Sequence, residues 1–379
     1  MSKPAVIFVL LQTGAAANGG IESISQVILR LREFRPVVVT NLQSAAVERL
    51  TGAGVEVHVV AEDVSAGVTK APLRYASTYL RYFRKLKQLL RSTGAMVIHA
   101  NDPLAFQLAV SAARTSPGVR IALNMRDTID PARRPPHGRY AAYFRLADRL
   151  IFLSQDMADR FAALAGRPPR ACSVTYSIVD FDRFVQRPMS VDGPRPVVLV
   201  PGVVSAKKGH LWFLREVAPA LVAAGAEIRI AGDFDPNRDA YSKACAQAAA
   251  ALGDAVQFLG YRGDLPDLMA QARVVATPSA HEGLMRGMIE AMSVGRPVVS
   301  TQVCSAREML EDLSGGAGQV VPIGAAEDMA RAILHYCTDP EAAEAAGNKG
   351  AATARRLFDP DTVIARYEDA YRAMLADEP

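Results

Sequence analysis

Glu282 and Glu290, eight positions apart, lie in the stretch from Arg273 to Thr301, which reads RVVATPSAHEGLMRGMIEAMSVGRPVVST. The apolar run 274–276, stopped by Thr277-Pro278, predicts a buried strand. A polar turn follows over 279–283, then a helix over 285–293, and 298–301 begins the next strand. The first turn of a helix that follows a strand offers backbone N–H groups and the positive end of a dipole, which suits phosphate. Eight residues of helix rise about 12 Å and return to roughly the same face. Two carboxylates so placed could accept hydrogen bonds from hydroxyls on either side of a diphosphate, the layout of a nucleotide sugar. The plain alternative is a pair of solvated helix-end charges, with Glu282 favouring the dipole. Lys208, just before a helix expected over 211–223, could hold a diphosphate as a point charge. By itself it also reads as an ordinary surface lysine.

The elements that must position these groups alternate. Strands are expected at 5–11, 36–40, 55–60, 96–100, 120–124 and 150–154, with helices between them. The run RPMSVDGPRP over 187–196 marks a linker. After it, strands at 197–200, 227–231 and 256–259 resume the pattern. Such alternation implies an α/β protein with doubly wound parallel sheets. Ligands of these sheets lie at the carboxyl ends of strands. His99, Asn101, Asp102, Arg126 and Asp127 fall at such ends, where a structural and a functional role are both open. Gly14, Gly19 and Gly20 between the first strand and the helix 21–32 would let the backbone approach a ligand closely. Their spacing is not the GxGxxG fingerprint, which argues against a nicotinamide cofactor.

With 379 residues and half of them hydrophobic, the chain can form two or three domains with sizeable cores. Cys172, Cys245, Cys304 and Cys337 are scattered, as for reduced cytosolic thiols rather than a disulfide frame or a zinc site. The apolar run 5–11 is too short for a signal segment or a membrane span, and no other segment reads as intramembrane. Charge is divided unequally: residues 1–190 hold 25 Lys and Arg against 14 Asp and Glu, a net of +11, whereas residues 191–379 come to −7. The first half therefore favours an anionic partner. Residues 70–91 hold seven cations and no acid, interleaved with Leu, Tyr and Phe. That pattern suits an anionic inner-membrane surface or, equally, a domain helix with a solvated cationic face. No nucleic-acid motif is present.

Taken together, these pieces resemble the GT-B glycosyltransferases, specifically the large retaining family 4. The resemblance rests on Gly202 with Lys208-Gly209, Ala231-Gly232-Asp233, Phe258 to Arg262, Pro278-Ser279, Glu282 with Glu290-Ala291-Met292, and Gly295-Arg296-Pro297. Gly19-Gly20-Ile21-Glu22 and Ser177-Ile178-Val179-Asp180 through Phe184 extend it, more loosely, into the first half. It implies two Rossmann-like doubly wound domains facing across a cleft. Residues 1–190 would bind the acceptor and 191–358 the nucleotide-sugar donor. The tail 359–379 would return to the first domain as a helix, in keeping with its stripe Val363, Ile364, Tyr367, Tyr371 and Met374.

By position, the resemblance puts Glu290 on the donor ribose and Glu282 on the transferred sugar. The amides of Gly283, Leu284 and Met285 would meet sugar and phosphate, with Gly202 and Lys208 at the diphosphate and Arg262 beside the base. Gly19 and Gly20 would approach from the other domain. Three positions depart from the family. Val203 stands where an arginine is usual, Arg126-Asp127 where a histidine is common, and Ser177-Ile178 where Asn-Gly is usual. Arg126 or Arg286 would then supply the missing charge, and His99 would contact the acceptor. No metal is required. The expected activity is retaining transfer of a hexose or N-acetylhexosamine to a lipid-linked or polysaccharide acceptor in cell-envelope synthesis. The chain would be cytoplasmic, at the inner membrane face. A hydrolysing nucleotide-sugar epimerase and a non-catalytic membrane-associated sugar binder are the alternatives.

Overall fold

The computed structural model describes residues 3–12, 19–60, 72–126, 137–189 and 195–376. Asp127, the centre of the loop 13–18, residues 70 and 71 of the cationic stretch, and 190–194 of the linker lie outside these. The chain divides into two compact units, Met1–Ile178 with Pro360–Pro379, and Val179–Asp359.

In the first unit seven strands form one parallel sheet: β1 Ala5–Leu10, β2 Arg35–Thr40, β3 Glu56–Val59, β4 Val97–Ala100, β5 Arg120–Met125, β6 Arg149–Phe152 and β7 Cys172–Val174. Their spatial order is β3-β2-β1-β4-β5-β6-β7, so the winding reverses between β1 and β4. Every residue of β1 is buried, as an apolar strand covered on both faces must be. The second unit repeats the plan with β8 Val197–Pro201, β9 Glu227–Ala231, β10 Val256–Gly260, β11 Val274–Thr277, β12 Val298–Thr301 and β13 Gly318–Val321. Here the order is β10-β9-β8-β11-β12-β13, with the reversal between β8 and β11. Both units are thus Rossmann-like doubly wound domains.

Strands β7 and β13 and the helix Pro340–Phe358 go beyond the sequence expectation. That helix carries Gly347 where it meets the end of the helix Arg286–Val294. A Cβ at Gly347 would lie 2.1 Å from the Gly295 carbonyl oxygen. The glycine that weakens its helical signature is what permits the close packing.

The first unit ends before the proline-rich run expected to divide the domains, because the approach to that run already packs on the second unit. The Val179 N–H donates to the Phe358 carbonyl at 3.1 Å and the Arg187 N–H to the Val294 carbonyl at 3.2 Å. Arg296, with no exposed surface, donates to the carbonyls of Arg187, Pro188 and Ala270 at 2.9, 2.9 and 2.6 Å. Its burial brings the guanidinium pKa down to about 10, so these carbonyls are the compensation for a buried cation.

The helix Pro360–Ala376 belongs to the first unit, and its whole expected stripe, Val363, Ile364, Tyr367, Tyr371 and Met374, is buried. Glu368 fastens it by accepting from the Arg32 and Glu33 N–H groups, each at 2.7 Å. The cationic stretch forms the helix Pro72–Thr93, with Thr78, Tyr82, Leu86 and Leu89 buried at helical spacing and Arg81, Arg84 and Arg91 exposed. Leu73, 88% exposed, and Leu80 stand on its outer face. Among the described residues no helix is long and apolar enough to cross a membrane.

His99 does not stand where an acceptor could touch it. It points from β4 into the core beneath the last helix, with no exposed surface, and its Nδ1 lies 3.0 Å from the Tyr371 hydroxyl. Phe8 and Tyr367 flank the ring. Burial lowers its pKa to about 3, so the folded imidazole stays neutral. Above the ordinary value both states are neutral; below it only the unfolded chain takes up the proton. Stability should therefore fall as pH drops from about 6.5 towards 3, by up to about 1.4 kcal/mol per pH unit from this group. Urea unfolding at several pH values should show a shallower slope in His99→Phe than in the wild type; equal slopes would remove His99 from the acid response.

Candidate active site

The winding reversal of the second unit places two loops side by side at the carboxyl ends of β8 and β11, the position where doubly wound sheets take ligands. The loop after β8 carries Gly202 and Lys208; the loop after β11 carries Glu282. Two glycines hold them together. Gly209 has φ +72°, and a Cβ there would fall 1.9 Å from the Pro278 carbonyl oxygen. Gly232, after β9, sits so close to Gly202 that its Cβ would lie 1.9 Å from the Gly202 carbonyl oxygen. Backbone bonds lace the loops further, from the Ala280 N–H to the Lys207 carbonyl at 2.9 Å and from Val204 to Asp233 at 3.1 Å.

This lacing fixes the side chains. Lys208 runs across Gly202, where a Cβ would lie 3.5 Å from the lysine Cε. Its Nζ then reaches Glu282 Oε1 at 2.7 Å. The same oxygen accepts from Ser279 Oγ at 3.1 Å, and Thr301 Oγ1 braces the turn through the Ser279 carbonyl at 2.5 Å. Glu282 is 8% exposed, so the pair sits in a medium where a charge contact is worth more than at the surface.

The helix Arg286–Val294 begins directly after Gly283, Leu284 and Met285, all buried, and its N-cap residue is Met285, whose side chain makes no capping hydrogen bond. One turn along, Glu290 Oε1 accepts from Arg286 Nη2 at 2.9 Å. Burial pushes the Glu290 carboxyl above the usual range, and Arg286, Arg183 and Lys208 in turn pull it back. Lys208, Glu282, Arg286 and Glu290 are thus one electrostatic group around a helix start.

The other expected residues have separate settings. Arg262 is exposed and held on Asp264 through Nε at 2.7 Å, and the neighbouring Tyr261 is 81% exposed. Gly19, exposed, and Gly20 open the helix Gly19–Ile28 after β1 in the first unit. Arg126 follows β5 there and is half-buried; its charge bears on Asp102, which caps the helix Pro103–Arg114 through the Leu104 and Ala105 N–H groups. Arg183 went unnoticed in the sequence. Its Nη2 donates to the Gly263 carbonyl at 2.8 Å, and its charge reaches Glu290. The available signal was its place inside the Asp180 to Phe184 run.

Close backbone approach at Gly209 makes a sharp expectation. Gly209→Ala should cost at least about 2 kcal/mol of stability, because a left-handed position and a backbone collision coincide. A urea midpoint equal to wild type would show that the two loops are not locked there.

Comparison with known proteins matches both halves. The family described as Glycosyltransferase Family 4 covers residues 29–183, and that described as Glycosyl transferases group 1 covers residues 195–339. The alpha-D-kanosaminyltransferase of Streptomyces kanamyceticus is 32% identical over 40% of this chain and 38% of its own length. The lipopolysaccharide core biosynthesis glycosyltransferase LpsE of Rhizobium meliloti is 27% identical over 63% of this chain and 67% of its own. The aligned parts therefore span 38% to 67% of these relatives. HepE of Anabaena, solved with UDP and glucose, superposes with a TM-score of 0.77 at 21% identity, covering 97% of this chain and 99% of that one, a likeness of fold. With one glycosyltransferase family on each half and a GT-B fold throughout, the chain belongs to the family 4 type of GT-B glycosyltransferases.

Proposed function

We propose that the protein is a retaining glycosyltransferase that moves a hexose or N-acetylhexosamine from a nucleoside-diphosphate sugar to a lipid-linked or polysaccharide acceptor of the cell envelope. The observation that carries this reading is the 2.7 Å Lys208–Glu282 pair beside the start of the helix Arg286–Val294, with Glu290 eight residues on from Glu282. In it the diphosphate sits on the amides from Gly283 to Met285, Lys208 takes the charge that develops on the leaving oxygen, and Glu282 turns to the sugar hydroxyls. Glu290 accepts from the ribose. Arg286, tethered on Glu290, supplies the cation that Val203 does not.

The acceptor hydroxyl attacks C1 from the face the leaving group departs. The new C1–O bond forms as the C1–O bond to the diphosphate breaks, and the hydroxyl proton passes to the departing phosphate oxygen. Such a reaction depends on charge stabilisation and positioning rather than on a protein nucleophile. No metal takes part. The names of relatives that act on lipopolysaccharide support the acceptor class, and the cationic helix Pro72–Thr93 supports attachment at an anionic inner-membrane face.

Purified protein with a panel of UDP-, GDP- and ADP-sugars tests this. Lys208→Ala should lower kcat about 100-fold or more. Glu290→Gln should raise donor KM about 10- to 100-fold, the loss of a hydrogen bond to a charged group. EDTA should leave the rate unchanged. Wild-type kinetics in both variants, release of nucleotide without acceptor, or no nucleotide binding by calorimetry would each defeat the proposal.

A further inference from the structure

At the amino ends of β5 to β7, the edge of the first sheet away from the loops discussed above, lies a recess of about 810 Å³. Five arginines line it, Arg114, Arg120, Arg145, Arg167 and Arg170, with one carboxylate, Asp148. That carboxylate is already engaged: it accepts from the Ile121 N–H at 2.7 Å, pairs with Arg114, and lies 4.0 Å from Arg120. Arg114 also donates to the Leu146 carbonyl at 3.1 and 2.8 Å, which settles a helix end.

The other three arginines do not have that structural work. Arg145, Arg167 and Arg170 are exposed, and among the described residues none pairs with a carboxylate. Arg167 lies over the Phe144 ring, 5.6 Å from its centre. Gathering guanidinium groups in a concavity raises their mutual repulsion, which an anion relieves, and the planar fork of arginine matches phosphate oxygens two at a time. Exposed apolar side chains, Leu146 at 39% and Leu375 at 39%, adjoin recess-lining residues along the chain.

We propose that this recess binds a phosphate group, as a site separate from and independent of the donor turn. The group is either free or the headgroup of an anionic lipid. The test measures inorganic pyrophosphate by calorimetry, and co-sedimentation with vesicles of phosphatidylcholine alone or with phosphatidylglycerol. The intact protein is compared with Arg145→Ala/Arg167→Ala/Arg170→Ala and with a charge-matched control in the second unit, Lys243→Ala/Arg307→Ala/Arg331→Ala. With all proteins, wild type included, compared in a Lys208→Ala background that removes the cation of the donor turn, the recess variant should bind about 100-fold more weakly, and the control should behave as its parent. Loss in the pyrophosphate arm identifies a free phosphate; loss confined to phosphatidylglycerol vesicles identifies a headgroup. Equal loss in both variants would reduce the effect to net charge and overturn the proposal, as would absence of binding in both arms. Unchanged urea midpoints show that the variants fold.

Discussion

The contact on which the second unit turns is the ion pair of Lys208 with Glu282. It is not a flexible surface pair, whose worth would be small and lost to salt. Its lysine is laid across Gly202, its glutamate is held by Ser279, and the two loops that carry them meet at a glycine that admits no Cβ. The side chains are therefore positioned before any ligand arrives. In the proposed reaction only the partner of the ammonium group changes, from Glu282 to the diphosphate, while the lysine itself is already in place, and such preorganisation is how electrostatic catalysis gains its effect.

The topology explains why the pair sits where it does. Strand order reverses between β8 and β11, the place where a doubly wound sheet takes its ligands, so the two loops that carry the pair stand next to each other at the carboxyl edge. The first unit has the same reversal between β1 and β4, and there the adjoining elements begin with Gly19 and with Asp102. The opposite edge of that sheet gathers helix ends and arginines instead. One architecture thus offers two chemically different rims.

Much of this was legible in the sequence. The alternation of apolar runs with helical stretches gives both sheets, and the tail stripe from Val363 to Met374 gives a packed last helix. The spacing of Glu282 and Glu290 gives an acid at each end of a helix start. What escaped depends on three-dimensional neighbours. A histidine at a strand end points either to a ligand or into the core, and only the packing of Tyr371 decides that His99 does the second. Arg262, placed beside the base by the resemblance, is held by Asp264 two residues on, a pairing that the sequence alone does not reveal. Arg183 and the helix Pro340–Phe358 carry no periodic or motif signal strong enough to stand out. The residues just before the proline-rich run are tied to the second unit by Arg296, an interaction that sequence distance conceals.

Hydrogen exchange of the intact protein, with and without saturating UDP, GDP or ADP, reaches the central claim most directly. The expected result is slowed exchange with one of these nucleotides, concentrated in the turn 203–209 and in the first turn after Glu282, and little change elsewhere in the second unit. A nucleotide that binds while leaving both segments at their free rates would contradict the assignment of the Lys208–Glu282 turn as the diphosphate site.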